Sequence, residues 1–267
     1  MERYRLKNII ILILAILNAC LLGILSMRGS AELASRRQAR EQLVSLFSSA
    51  GVSLDADLIS DDTPPAALTL IRDEAEERAM GTYLLGGETA WSDQGGGIFT
   101  CTGETGAAQF RSNGSFDAVC SRPLEDPEAF FQEFCKTFGY QDLLIALEDG
   151  SGSMTAVQYY QDYPVVDCTV TFTLEAGVLK RAIGTHLPDG AATAAPGDAP
   201  LSALSALTAF RNTIREGAVG TAVTDVYLCY DLQSTTTALM TLVPAWCVVT
   251  DTATYYVNCL TGSVTPA

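Results

Sequence analysis

The sequence predicts an α+β chain: one N-terminal transmembrane helix, then a domain of helix-on-antiparallel-sheet modules in which the plan is duplicated. Three observations predict it. A run of twenty residues without a charge, from Asn8 to Met27, follows a short basic tail at 1–7. A helix rich in phenylalanine near residues 126–138 leads into three strand-like runs. Beyond a small-residue linker at 187–200 the same order of helix and strands restarts at 201–264.

The opening run reads NIIILILAILNACLLGILSM. At about 1.5 Å per residue it is long enough for a hydrocarbon core of roughly 30 Å. It is apolar on every face, as lipid requires and as a soluble helix rarely is. Two processing events compete with a retained anchor. Arg3, Arg5 and Lys7 with Gly29 and Ala31 also suit a cleaved signal peptide, although the apolar run is long for one. LNAC at 17–20 approaches a lipobox ending at Cys20, against which stand Asn18 and the continuing LLGIL. Basic residues also follow the run, at Arg28, Arg36, Arg37 and Arg40, so charge counting leaves its direction open. Within it, Ala15, Ala19 and Gly23 fall four apart with Asn18 beside them. That ridge lets a second helix approach closely, and an amide in lipid needs a partner.

Past Arg40 the chain carries nine basic residues against twenty-nine carboxylates, which disfavours nucleic acid and anionic lipid as partners. Seven of the eight cysteines lie beyond the apolar run, at 101, 120, 135, 168, 229, 247 and 259. Their odd number means that a framework of disulfides would leave one thiol over, and buried reduced thiols fit the spacing as well.

The soluble part begins with a membrane-proximal helix at 36–51, with Leu43, Leu46, Phe47 and Ala50 on one face and Gly51 as its stop. From 52 to 97 the pattern yields only a weak strand near Thr82 to Leu85. Alternation over 98–120, broken at Gly103 and at Asn113-Gly114, predicts a meander with a two-residue turn; Asn113-Gly114-Ser115 also matches a glycosylation sequon, but the turn explains the same residues without further assumption. The unit from the membrane-proximal helix through this meander is residues 36–120. The unit at 126–186 opens with Asp126 as N-cap, Pro127 in the first turn, Phe130, Phe131, Phe134 and Phe138 on one side, and Gly139 at the end. Strands are expected at 154–161, 165–174 and 178–185. After the linker, Ser202 can cap a helix with Ala203, Leu207, Phe210 and Ile214 on one face, and strands follow near 222–231, 242–250 and 254–260.

Nothing in the chain matches a metalloprotease, phosphate-loop or serine-hydrolase signature, so no catalytic residue, metal or cofactor is expected. The one histidine, His186, reads as a surface or strand-end residue rather than the base of a cysteine nucleophile.

Three segments together resemble the YycI-type and related YycH-type regulators of the essential cell-wall two-component system of low-GC Gram-positive bacteria. The first is the basic tail running into NIIILILAILNACLL. The second is YYQDYPVVDCTVTFTLEAGVL at 159–179, with Tyr160, Gln161, Pro164 and Val165. The third is LVPAWCVVTDTATYYVNCLTGSV at 242–264, with Pro244, Trp246, Tyr256 and Gly262. The strand-and-turn pattern is also similar to the wider PepSY-type modules. The cysteines inside these strands, the alanine-rich linker and the stretch 52–97 depart from the pattern. The resemblance implies a non-catalytic regulator in the cell membrane, with a cytoplasmic N-terminus and an extracellular domain. Its implied partners are a sensor histidine kinase and a YycH-type companion. An extracellular binding or inhibitory module, merely tethered by the helix and acting on a peptidase or cell-wall ligand, is the alternative.

Overall fold

The computed structural model describes Asn18 and residues 34–188, 192–195, 199–216, 220–233 and 240–267, the side chains of 214–216 excepted. Apart from Asn18, which is helical and exposed, the apolar run at 8–27 therefore lies outside the described residues, Ala15, Ala19 and Gly23 included. Among the described residues no helix is long and apolar enough to cross a membrane.

The fold is mixed α+β. Helix α1 covers 34–49, followed by β1 (Leu68–Leu70), α2 (Glu74–Leu85), β2 (Ala90–Gly95), β3 (Ile98–Gly103), β4 (Gly106–Arg111) and β5 (Ser115–Pro123). Then come α3 (Pro127–Phe138), β6 (Tyr140–Glu148), β7 (Ser151–Tyr160), β8 (Tyr163–Glu175), β9 (Val178–Thr185) and β10 (Ala192–Ala194). The chain closes with α4 (Ala203–Glu216), β11 (Val223–Gln233), β12 (Met240–Thr250), β13 (Thr254–Asn258) and β14 (Val264–Pro266). The strands form one path, β10-β1-β12-β11-β8-β9-β5-β4-β3-β2, with β6 and β7 branching from β8 and β13 and β14 from β12. Almost every pairing is antiparallel. The exception is β11 with β8, which run parallel through Tyr230↔Val165 and Asp231↔Val166 and so join two half-sheets.

Each half has its own core. In one, Met80, Leu84 and Leu85 of α2 and Phe131, Phe134 and Phe138 of α3 pack on the strands from β3 to β9. The aromatic stripe of α3 is as expected: Asp126 accepts from the Ala129 N–H, Pro127 opens the helix, and Gly139 ends it in the left-handed region. In the other, Phe47 of α1 and Leu207 and Phe210 of α4 pack on Trp246, Val248 and Val257. The α1 terminus is a Schellman motif, with the Gly51 N–H on the Ser48 carbonyl and the Val52 N–H on the Phe47 carbonyl. Leu43 and Phe47 are buried as expected, whereas Leu46 is 41% exposed and Ala50 is also exposed, so the apolar face is narrower than its sequence.

Several segments depart from the sequence reading. Thr82 to Leu85, expected as a strand, is the end of α2, whose Asp73 cap accepts from the Ala75 and Glu76 N–H groups. Strand β6 takes residues 140–148, where the sequence pattern predicts no element. The linker at 187–200 is structured in part: Leu187 is buried, and Ala192–Ala194 pairs with β1. The stretch 36–120 is shared between the halves, because α1 and 52–59 join the second core and β1 pairs with β12, while α2 and the meander join the first. The Asn113-Gly114 turn is a three-residue loop: only Gly114 of the pair has positive φ, and its N–H bonds the Arg111 carbonyl at 2.9 Å.

Gly184 sits near the end of β9, between Phe116 of β5 and Val170 of β8. A Cβ there would lie 2.3 Å from the Thr169 carbonyl oxygen and 2.8 Å from the Val170 Cα, both backbone atoms that cannot swing away. Gly184→Ala is expected to force β8 from β9 and lower stability by about 2 kcal/mol. Urea unfolding checks this as a lower midpoint with an unchanged slope.

Candidate functional site

Where β8 leaves β11, a cleft of about 740 Å³ opens between the half-sheets. Two local features of β8 shape it. Tyr160 pairs with Tyr163 across a two-residue turn, and both turn residues, Gln161 and Asp162, have positive φ (49° and 70°). Side chains other than glycine adopt that region at a cost of roughly 1 kcal/mol, which aspartate offsets best. Further on, Asp167 also has positive φ, 58°. This residue lies between Pro164, paired with Tyr159 of β7, and Thr169, paired with Val157, a stretch over which Val165 and Val166 pair with β11 instead. Strand β8 bulges out of the β7 ladder there to meet β11.

The resemblance-bearing residues converge on this junction from segments far apart in sequence. Pro164, Val165, Trp246 and Tyr256 line the cleft. The Tyr160 ring stands edge-on to Tyr230 at 6.2 Å, and Pro244 is in register with the same Tyr230. Pro244 directs its carbonyl to the Cys259 N–H just beyond the β13 pairing, so its missing N–H removes no ladder bond. Trp246 is fully buried and donates from Nε1 to the Leu201 carbonyl at 3.0 Å. Gln161 is exposed on the turn. Gly262 lies apart, at the β13–β14 turn, with φ 71° and its N–H on the Asn258 carbonyl.

The cleft is acidic. Asp62, Asp142, Asp162 and Asp167 contribute to its lining, and no Lys, Arg or His does. The Tyr159 hydroxyl donates to Asp142 Oδ2 at 2.5 Å, and that bond to a carboxylate is the main reason its pKa is pushed up to about 12. Asp142→Asn is expected to bring the Tyr159 titration down toward the ordinary tyrosine value, read from the ring carbon shifts of labelled protein against pH. Burial holds Tyr256 at about 12 and raises Tyr227 as well. Sequence reasoning found Trp246 and Tyr256 as strand residues but missed these carboxylates, which are spread from 62 to 167 and share no motif.

The thiols are not poised for chemistry. All seven described cysteines are reduced and buried. Burial pushes Cys135, Cys168 and Cys259 up to about 12, the opposite of what a nucleophile needs. His186, read as a surface or strand-end residue, does follow the end of β9 but is buried, at 5% exposed. Its Nδ1 lies 3.4 Å from Gln158 Nε2, and its Nε2 is 3.1 Å from Glu76 Oε1, within ion-pair reach but off the line of a hydrogen bond. Gln158 accepts from the Leu187 N–H, which draws the start of the linker into the core. Among the described residues no cluster of metal-ligating side chains occurs.

No family profile matches the chain, and no curated protein matches it. Among solved structures it is similar to the Bacillus megaterium YpeB C-terminal domain, at TM-score 0.35 and 14% identity over 74% of this chain and 98% of that one. It is also similar to YycH from Bacillus subtilis, at TM-score 0.32 and 10% identity over 76% of this chain. That overlap spans 53% of YycH.

Proposed function

We propose that this chain is a non-catalytic regulator of a sensor histidine kinase, anchored in the cell membrane by residues 8–27 with its folded part extracellular. The observation that carries the reading is the convergence of Tyr160, Pro164, Val165, Pro244, Trp246 and Tyr256 on one sheet junction. Those residues carry the resemblance to YycI-type and YycH-type regulators, and four of them, Pro164, Val165, Trp246 and Tyr256, line a cleft open to contact. The high pKa values of the buried thiols further support a role without cysteine chemistry. A YycH-type protein is the companion this reading names.

A regulator of this kind acts by favouring one state of the kinase over the other, so its contacts must differ between the two states. Replacing residues 8–27 with an unrelated spanning helix tests where those contacts lie. Loss of the kinase-dependent reporter signal, together with loss of co-purification, is expected if the Ala15, Asn18, Ala19 and Gly23 ridge makes them. Full signalling after the swap would leave the anchor as a tether and transfer the role to the outer domain. Orientation is checked in the same strain by labelling Glu148→Cys, an exposed position, with a membrane-impermeant thiol reagent in intact cells. The seven described thiols are too buried to report it.

A further inference from the structure

The cleft presents strand edges rather than strand faces. Consecutive residues of both walls line it, Val226 to Cys229 from β11 and Tyr163 to Asp167 from β8, whereas a face would contribute alternate residues. On its other side β11 pairs with β12 from Val223 to Gln233, with one bulge between Val223 and Asp225. On the cleft side its pairing is confined to the two ends: Ser53 bridges Ala222, and β8 pairs at Tyr230 and Asp231. Between them, over 224–229, no described strand is in register on that side. Alternate residues there aim their N–H and C=O groups into the cleft. One is blunted by the protein itself, since the Val226 N–H donates to Asp225 Oδ1 at 2.8 Å. A carboxylate guarding an edge is how a protein keeps an open strand from pairing indiscriminately.

We propose that this slot takes an extended, cationic peptide segment of a partner protein, which adds to β11 as a strand. Its length follows from the two closed ends: six residues at the rise of a strand span about 20 Å. Its charge follows from the lining, where Asp62, Asp142, Asp162 and Asp167 are met by no basic side chain. Backbone pairing supplies affinity, and the carboxylates with Tyr159, Tyr227 and Tyr256 select basic side chains. The inference rests on reading the outer domain as the part that makes contacts. Its test reads binding directly, so it stands or falls without any kinase signal.

The probe is a blocked peptide of alternating lysine and valine, about six residues long, titrated into the full-length chain by calorimetry, with hydrogen exchange of the β11 amides followed in parallel. Binding with slowed exchange between 224 and 229 is expected. N-methylation of alternate peptide amides should weaken binding about tenfold, because it deletes strand hydrogen bonds and keeps the charge. Asp162→Asn and Asp167→Asn should each weaken it about threefold, with a shallower salt dependence; asparagine tolerates the positive φ at both sites, so the fold is retained. No binding, equal binding of the N-methylated peptide or of a glutamate–valine peptide, or exchange unchanged at β11 would each overturn the proposal.

Discussion

Trp246→Ala is expected to destabilise the folded domain by about 4 kcal/mol. The indole is fully buried between the β11–β12–β13 strands and α4, in a core it shares with Phe47, Leu207, Phe210 and Val257. Removing it leaves a large cavity in a site whose walls come from strands and helices and cannot all move inward. It also orphans the Leu201 carbonyl, the acceptor of Nε1. Trp246→Phe separates the two effects: most of the ring volume remains, and only the hydrogen bond and a smaller void are lost. Chemical denaturation with fluorescence at Trp91 as the remaining reporter measures both variants. A loss below about 1 kcal/mol for the alanine variant would mean that this core collapses freely on deletion, against the packing described.

Arg72→Met is the second large loss, expected at about 3 kcal/mol. Arg72 forms a two-pronged pair with Glu77, Nε to Oε1 at 2.7 Å and Nη2 to Oε2 at 2.8 Å, and it reaches the Gly97 carbonyl with Nη1. Its guanidinium also lies over the Phe99 ring at 4.7 Å. Both side chains are largely withdrawn from water, so deleting one strands the other. The double variant Arg72→Met, Glu77→Leu should recover much of the loss, because it removes both desolvated charges. Burial outweighs the arginine and raises the Glu77 pKa above the ordinary carboxylate value. A raised carboxyl takes up a proton on folding. Its contribution is therefore fullest below the ordinary value and declines as pH rises through the folded one. Relative to Glu77→Gln, the native chain should lose stability over that window, and stability curves of the two proteins against pH check the sign.

What the sequence made legible was whatever one element states by itself. Helix α3 carries its N-cap, first-turn proline, aromatic stripe and terminal glycine within fourteen residues, so nothing distant is needed to find it. Helix α2 was hidden because its buried face includes Glu77 and Gly81 beside Met80, Leu84 and Leu85. Glu77 is there to meet Arg72, and Gly81 because a Cβ would come 2.8 Å from the Cys101 sulfur. Arg72 stands just ahead of the helix, outside its pattern, and Cys101 lies on β3. Strand β6 was missed because it pairs only with β7 and is exposed along most of its length, which removes the alternation that marks a half-buried strand. The cleft was the least legible part, since its walls exist only once β8 bulges out at Val165 to Asp167 and meets β11. The segments carrying the resemblance were visible as sequences, but their convergence on Tyr230 was not. The ridge at Ala15, Ala19 and Gly23 lies outside the described residues, and its role stands with the proposal.

The seven buried, reduced cysteines set a different kind of limit on this protein. While the chain stays folded, an oxidising medium reaches none of these seven thiols. A single global opening releases seven thiols at once, with an odd one always left to attack a neighbour or a second chain. Mispaired products cannot return to a core that holds its sulfurs apart and protonated. In such surroundings working lifetime follows the rate of first unfolding rather than the equilibrium between folded and unfolded forms. Heating under air should therefore give a scan-rate-dependent, irreversible transition, and a reductant should restore reversibility without changing the folded structure.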